Sequence, residues 1–167
     1  MVQMAVPNQK IIKATSMFFD PNRDSGPIGR AALQSAGLTN TQFHLDIDMA
    51  MSYLSMHTPE LLVVDLAPDT KEDGLMLIAA ARSKKDDNPP RVLGLLAGGT
   101  REALVEAIKG GVDTVIVKPL APDSLHKKIK SLMASPQNYI SAKGYYGPDR
   151  RRVPDAEEFT GEERRSN

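Results

Sequence analysis

Hydrophobic and polar positions along the chain switch repeatedly between two rhythms. Short apolar runs occupy Ile11 to Phe19, Leu61 to Asp65, Arg91 to Leu96 and Thr114 to Val117, and Phe43-His44-Leu45-Asp46-Ile47 alternates apolar with polar. Runs this short and rich in β-branched or aromatic residues predict strands buried on both faces, and the alternating stretch predicts an edge or half-buried strand. Between them, apolar residues recur at helical spacing. A helix from about Ser25 or Pro27 carries Ile28, Ala31, Ala32 and Leu33, with Gly37 suited to its C-terminal cap. Asp48 is placed to cap a second helix holding Met49, Met51, Leu54 and Met56, which Pro59 ends. Gly74 opens a third with Leu75, Leu77, Ile78 and Ala81. Thr100 caps a fourth that reaches Ile108 and stops at Gly110-Gly111, and Pro122-Asp123-Ser124 introduces a fifth with Leu125, Ile129 and Leu132 on one side. Strand–helix alternation of this kind predicts an α/β fold with a parallel sheet covered by helices on both faces.

Three of the apolar runs end on a charge: Asp20 after Phe18-Phe19, Asp65 after Val63-Val64, and Lys118 after Val117. In a parallel sheet all three fall at the carboxyl edge, where ligands collect in open α/β sheets. If the first and third strands are neighbours, Asp20 and Asp65 repel unless a cation lies beside them. Mg²⁺ suits such a pair, because it takes oxygen ligands and keeps waters that a phosphate can replace. Asp65 could then attack a phosphoryl donor while Lys118 neutralises the phosphoryl oxygens. The competing reading is that each charge only solvates a strand end.

Composition narrows the setting. With 167 residues, one buried domain plus an appendage is expected. Balanced charge, 21 basic against 21 acidic residues, gives no general attraction to nucleic acid or membrane. The absence of cysteine removes disulfides, thiolate metal sites and cysteine nucleophiles. No stretch has a membrane-spanning length of apolar residues, so a cytoplasmic protein without membrane insertion is expected. His44, His57 and His126 lack metal-ligand spacing, and the three methionines of the second helix read as core filling. The organisation predicted is an N-terminal arm over 1–10, a domain over 11–134, and an extended or disordered tail over 135–167.

Asp20, Val63-Val64-Asp65, Asp73-Gly74, Gly110-Gly111-Val112-Asp113 and Lys118-Pro119 stand in the order and spacing of a bacterial two-component response-regulator receiver domain. The chain from Ile11 to Met133 resembles that CheY-like family. The resemblance implies a flavodoxin-like, doubly wound five-stranded parallel sheet in order 2-1-3-4-5. It also implies a cis Lys-Pro bond, Asp65 as phosphoacceptor, Lys118 as phosphoryl contact, and Mg²⁺ held by Asp20, Asp65 and the Ala67 backbone. At most it implies Mg²⁺-dependent self-phosphorylation rather than turnover of a separate substrate, so the chain is not expected to be an enzyme.

Three positions depart from the family pattern. Pro21 follows Asp20 where a second acid is usual, Leu96 stands where a Thr or Ser is usual, and Val115 replaces an aromatic residue. The loop from Ala67 to Asp73 is one residue longer than usual. These changes predict an atypical receiver: weakened Mg²⁺ binding, weak or absent phospho-switching, and output by binding a protein. A working phosphoacceptor in a phosphorelay is the alternative. The tail segment Tyr145-Tyr146-Gly147-Pro148-Asp149-Arg150-Arg151-Arg152 combines aromatic rings with guanidinium forks. Tyr146, Arg150, Arg151 and Arg152 are therefore candidates for ligand recognition, in the manner of receiver-like proteins whose arginine-rich extensions bind cyclic di-GMP. A solvated linker is the plainer reading. Expected partners are a sensor kinase or phosphotransfer protein, a downstream protein target and a cyclic dinucleotide. A homodimer stays open, and DNA is not expected, since no helix-turn-helix pattern follows Met133.

Overall fold

The computed structural model describes residues 12–84, 86–136 and 138–149. Strands β1 (Ser16–Phe19), β2 (Thr41–His44), β3 (Leu61–Asp65), β4 (Arg91–Leu96) and β5 (Thr114–Val117) alternate with helices α1 (Ser25–Ser35), α2 (Ile47–Met56), α3 (Lys71–Ser83), α4 (Arg101–Gly110) and α5 (Pro122–Ala134). The strands form one parallel sheet in order β2-β1-β3-β4-β5, the order that the family resemblance implies.

Period-two alternation divides the core into two layers. Met17, Phe19, Leu62, Val64, Val92 and Leu96 face a cluster that includes Ala50, Leu54, Leu77, Ile78 and Ala107 from α2, α3 and α4. Phe18, Leu61, Val63, Leu93 and Leu95 face Leu33, Leu125 and Ile129 from α1 and α5. β1 and β3 therefore bury every side chain, and each large apolar one contributes on the order of 1.5–3 kcal/mol relative to exposure.

Some boundaries and roles differ from the sequence reading. Among the described residues β1 begins at Ser16, and β2 stops at His44 because Asp46, not Asp48, caps α2: its Oδ1 accepts the Met49 N–H at 2.9 Å. α3 starts at Lys71, so Gly74 lies inside the helix rather than opening it. A Cβ there would lie 2.7 Å from the Asp65 carbonyl oxygen and 2.8 Å from Val64 Cγ1, so the glycine permits the close approach of α3 to β3. Core filling holds only for Met51, which packs partly buried. Met49 and Met56 are 62% and 71% exposed, on the opposite side of α2 from Ala50 and Leu54. Thr100 caps α4 as read, accepting the Ala103 N–H, and Gly111 closes that helix at φ 100°.

Within the stretch assigned to an extended or disordered tail, β6 (Tyr139–Ala142) and β7 (Tyr145–Pro148) form an antiparallel hairpin. Lys143 and Gly144 link the Ala142–Tyr145 pair, with Gly144 at φ 79°. The hairpin has no apolar run of its own and is fixed by docking. Tyr139 donates its hydroxyl to Asp113 at 3.0 Å, its ring lies 4.7 Å from the Arg82 guanidinium carbon, and Tyr146 stacks on it at 6.1 Å. Buried Arg82 pairs with Asp113 at 2.9 Å and donates to the Gly111 and Pro90 carbonyls, which satisfies a charge that would otherwise be costly to bury.

Candidate functional site: a lysine-bridged carboxylate pair

Asp20 directly follows β1, Asp65 ends β3, and these strands are neighbours in register, with Phe19 opposite Val64. Lys118 directly follows β5 and reaches back across the sheet edge. Its Nζ lies 2.5 Å from Asp65 Oδ1 and 3.9 Å from Asp20 Oδ2. The contact with Oδ1 is a charge contact without hydrogen-bond geometry, and no hydrogen bond reaches that oxygen among the described residues. Both carboxylates are fully buried, and Lys118 is one-quarter exposed. The Lys118-Pro119 peptide bond is cis.

Each acid also takes a hydroxyl from the start of the following helix, five residues on. Ser25 Oγ donates to Asp20 Oδ2 at 2.8 Å, and Thr70 Oγ donates to Asp65 Oδ2 at 2.6 Å. The Asn22 N–H donates to Asp20 Oδ1 at 2.9 Å. Sequence reasoning missed Ser25 and Thr70 as site residues. Their common signal is a Ser or Thr five residues after a strand-ending Asp, where the chain turns into its helix. Burial pushes the Asp20 carboxyl above its ordinary value, with the Asp65 charge acting in the same direction. The Asn22 N–H, the Ser25 hydroxyl and Lys118 oppose it.

Receiver domains hold Mg²⁺ at such a carboxylate pair. Here Asp20 and Asp65 would supply two anionic ligands, and no group of three His, Cys, Asp or Glu side chains suited to a metal occurs among the described residues. The Ala67 carbonyl accepts the Thr70 N–H at 2.9 Å and lies 3.3 Å from the Thr70 hydroxyl, whose one proton goes to Asp65. The donor set fits a cation that keeps much of its water, as Mg²⁺ does. It would supply positive charge to an incoming phosphoryl group.

The other positions singled out in the sequence lie elsewhere. Leu96 is buried at the end of β4, beside the Asp65–Leu95 register pair, and Val115 packs against the same core cluster. Tyr146 belongs to the hairpin, near Gly111 and Arg82 at the amino edge of the sheet, away from the strand ends that carry the acids. Arg150, Arg151 and Arg152 fall outside the described residues. No described helix is long and apolar enough to cross a membrane.

A family profile, the response regulator receiver domain, matches residues 22–130. The chain is 37% identical over 94 residues to the transcriptional regulatory protein BasR of Escherichia coli, a match covering 54% of this chain and 39% of that protein. Its fold is similar to a response regulator from Thermotoga maritima, with a TM-score of 0.61 and 25% identity over 74% of this chain and 100% of the other. It is also similar in fold to a response regulator receiver domain from Bermanella marisrubri, with a TM-score of 0.58 and 24% identity over 71% and 96% of the two chains. With the sheet order, the strand-end acids and the lysine in place, the chain belongs to the response regulator receiver domain family of two-component signalling.

Proposed function

We propose that this receiver is an atypical one, a cytoplasmic signalling adaptor that acts through protein binding and switches weakly or not at all on phosphorylation of Asp65. The observation that carries the reading is the end of β4. Beside Asp65, where a hydroxyl would meet a phosphoryl oxygen, stands Leu96, buried in the apolar core and unable to hydrogen-bond an anion. Two features support weak metal binding as well. Pro21 stands where a second acid would help hold the cation, and both Asp20 oxygens already accept protein donors. Incubation with acetyl phosphate and Mg²⁺, followed by intact-mass measurement, tests the reading. Slow or substoichiometric addition of one phosphoryl group is expected. Rapid stoichiometric addition, abolished in Asp65→Asn and accompanied by a large conformational response, would overturn it.

The convergence of Lys118 on Asp65 and Asp20 favours a second reading, a working phosphoacceptor served by a sensor kinase or phosphotransfer protein. That reading expects Mg²⁺ to shift the NMR signals of Asp20 and Asp65 in a saturable way, and absence of such shifts would end it. The hairpin leads directly from Tyr146 through Asp149 into Arg150, which keeps a cyclic dinucleotide in view as a tail ligand. Calorimetry with cyclic di-GMP on the full chain, with and without Arg150, Arg151 and Arg152 changed to Ala, tests it. Equal affinities would remove the arginines from the site.

A further inference from the structure

A cavity of about 300 Å³ opens between α3 and α4, beside the carboxylate site but sharing none of its three charged residues. Its walls are Leu66, Leu75, Leu96, Ala103 and Ala107. The space exists because α4 presents alanines one turn apart, Ala103 and Ala107, toward the leucines of β4 and α3. Protein interiors are normally close-packed, and a mostly apolar cleft of this size has the dimensions of a small-molecule site. Leu96 is one of its walls, so the substitution that removes a phosphoryl contact also makes this surface apolar.

Charge at the rim selects the ligand. Lys71 and Glu106 pair across the mouth at 2.9 Å. Glu102, one turn before Glu106 on α4, also lines the rim and has no ion pair among the described residues. The rim therefore offers a carboxylate to a cation while its one ammonium is already engaged. A dry apolar cavity of about 150 Å³ accepts benzene, so twice that volume suits a bicyclic ring. We propose that this cleft binds a compact apolar amine, its ring among Leu66, Leu75, Leu96 and Ala103 and its ammonium at Glu102. Only Ala107 of α4 is fully buried, so an occupant would supply much of the contact that positions this helix. The inference extends the adaptor reading by giving the receiver an input other than phosphate.

Tryptamine, 3-methylindole and indole-3-acetate are the probes, each titrated into the full chain while methyl NMR signals are followed. Tryptamine is expected to give saturable shifts at Leu66, Leu75, Leu96 and Ala103, with affinity falling through 3-methylindole to indole-3-acetate. Ala103→Leu fills the cleft and should weaken tryptamine at least tenfold, with Ala103→Met as the second variant should the first not fold. Glu102→Gln should weaken tryptamine about fivefold and leave 3-methylindole unchanged. Shifts that do not saturate, an acid that binds as well as the amine, or unchanged affinity in the folded Ala103 variant would each overturn the proposal. Repeating the titration on Asp65→Asn separates it from the phosphorylation question. Unchanged affinity is expected, and loss of affinity would move the ligand to the carboxylates and overturn the cleft assignment. Failure of tryptamine to bind leaves the acetyl phosphate result, and the adaptor reading with it, unaffected.

Discussion

Asp20 shows how a single buried carboxyl couples the site to stability. Its carboxyl is raised from 3.8 chiefly by burial, so the folded protein holds that proton more tightly than the unfolded chain. The stability this contributes is complete below the unfolded value and is lost as pH rises through the folded one. Asp20→Asn should therefore stabilise the protein at pH 7, read as a higher urea midpoint, with the gain shrinking as pH falls toward 4. A gain independent of pH would contradict the assignment. Thr70 acts on the other acid. Thr70→Val removes the 2.6 Å hydroxyl donor from Asp65 Oδ2 and should cost about 1.5–3 kcal/mol, the range for a hydrogen bond to a charged group. The same variant should react faster with acetyl phosphate, because the carboxylate loses a competing donor, and intact-mass kinetics would show it. Asp20, Asp65 and Lys118 could be picked out of the sequence because each ends an apolar run. Ser25 and Thr70 could not, because a hydroxyl at a helix start reads equally well as a cap. Only the close return of the chain to the preceding strand reveals the second partner.

Among the elements, the strands and helices follow their periodicities closely, and the exceptions have local physical causes. Asp46 displaced Asp48 as the α2 cap because its side chain reaches the Met49 N–H, which a pattern of apolar residues does not encode. Gly74 resembled a helix start in sequence, yet its role is contact with β3. Gly74→Ala should destabilise the fold by about 1–3 kcal/mol through overpacking against the Asp65 carbonyl, visible as a lower urea midpoint. The β6–β7 hairpin was hidden from the sequence because its stability comes from Arg82 and Asp113, which lie 57 and 26 positions before Tyr139 in the numbering. The Tyr139 hydroxyl is pushed from 10.0 up to about 12, mostly by burial and by the Asp113 carboxylate. Its contribution to docking is full below pH 10 and is lost as pH rises through about 12. Tyr139→Phe has no phenol to ionise, so it should abolish that alkaline loss and cost about 1 kcal/mol at neutral pH. Hydrogen exchange of the amides in Tyr139–Ala142 and Tyr145–Pro148 would report it.

For the molecule as a whole, alternation of short apolar runs with helical segments was enough to anticipate a parallel α/β sheet. The strand order came from the family resemblance, and the coordinates and comparisons bear it out. Less accessible was how the chain continues after α5. It passes the amino ends of β4 and β5, where Asp113 bonds the Val92 N–H, and settles against α3 on the opposite layer from α5. Asp149, the last described residue, is consequently moored at the pole remote from Lys118. A partner seated on the hairpin itself would sit at that pole and leave the strand ends that carry Asp20 and Asp65 uncovered.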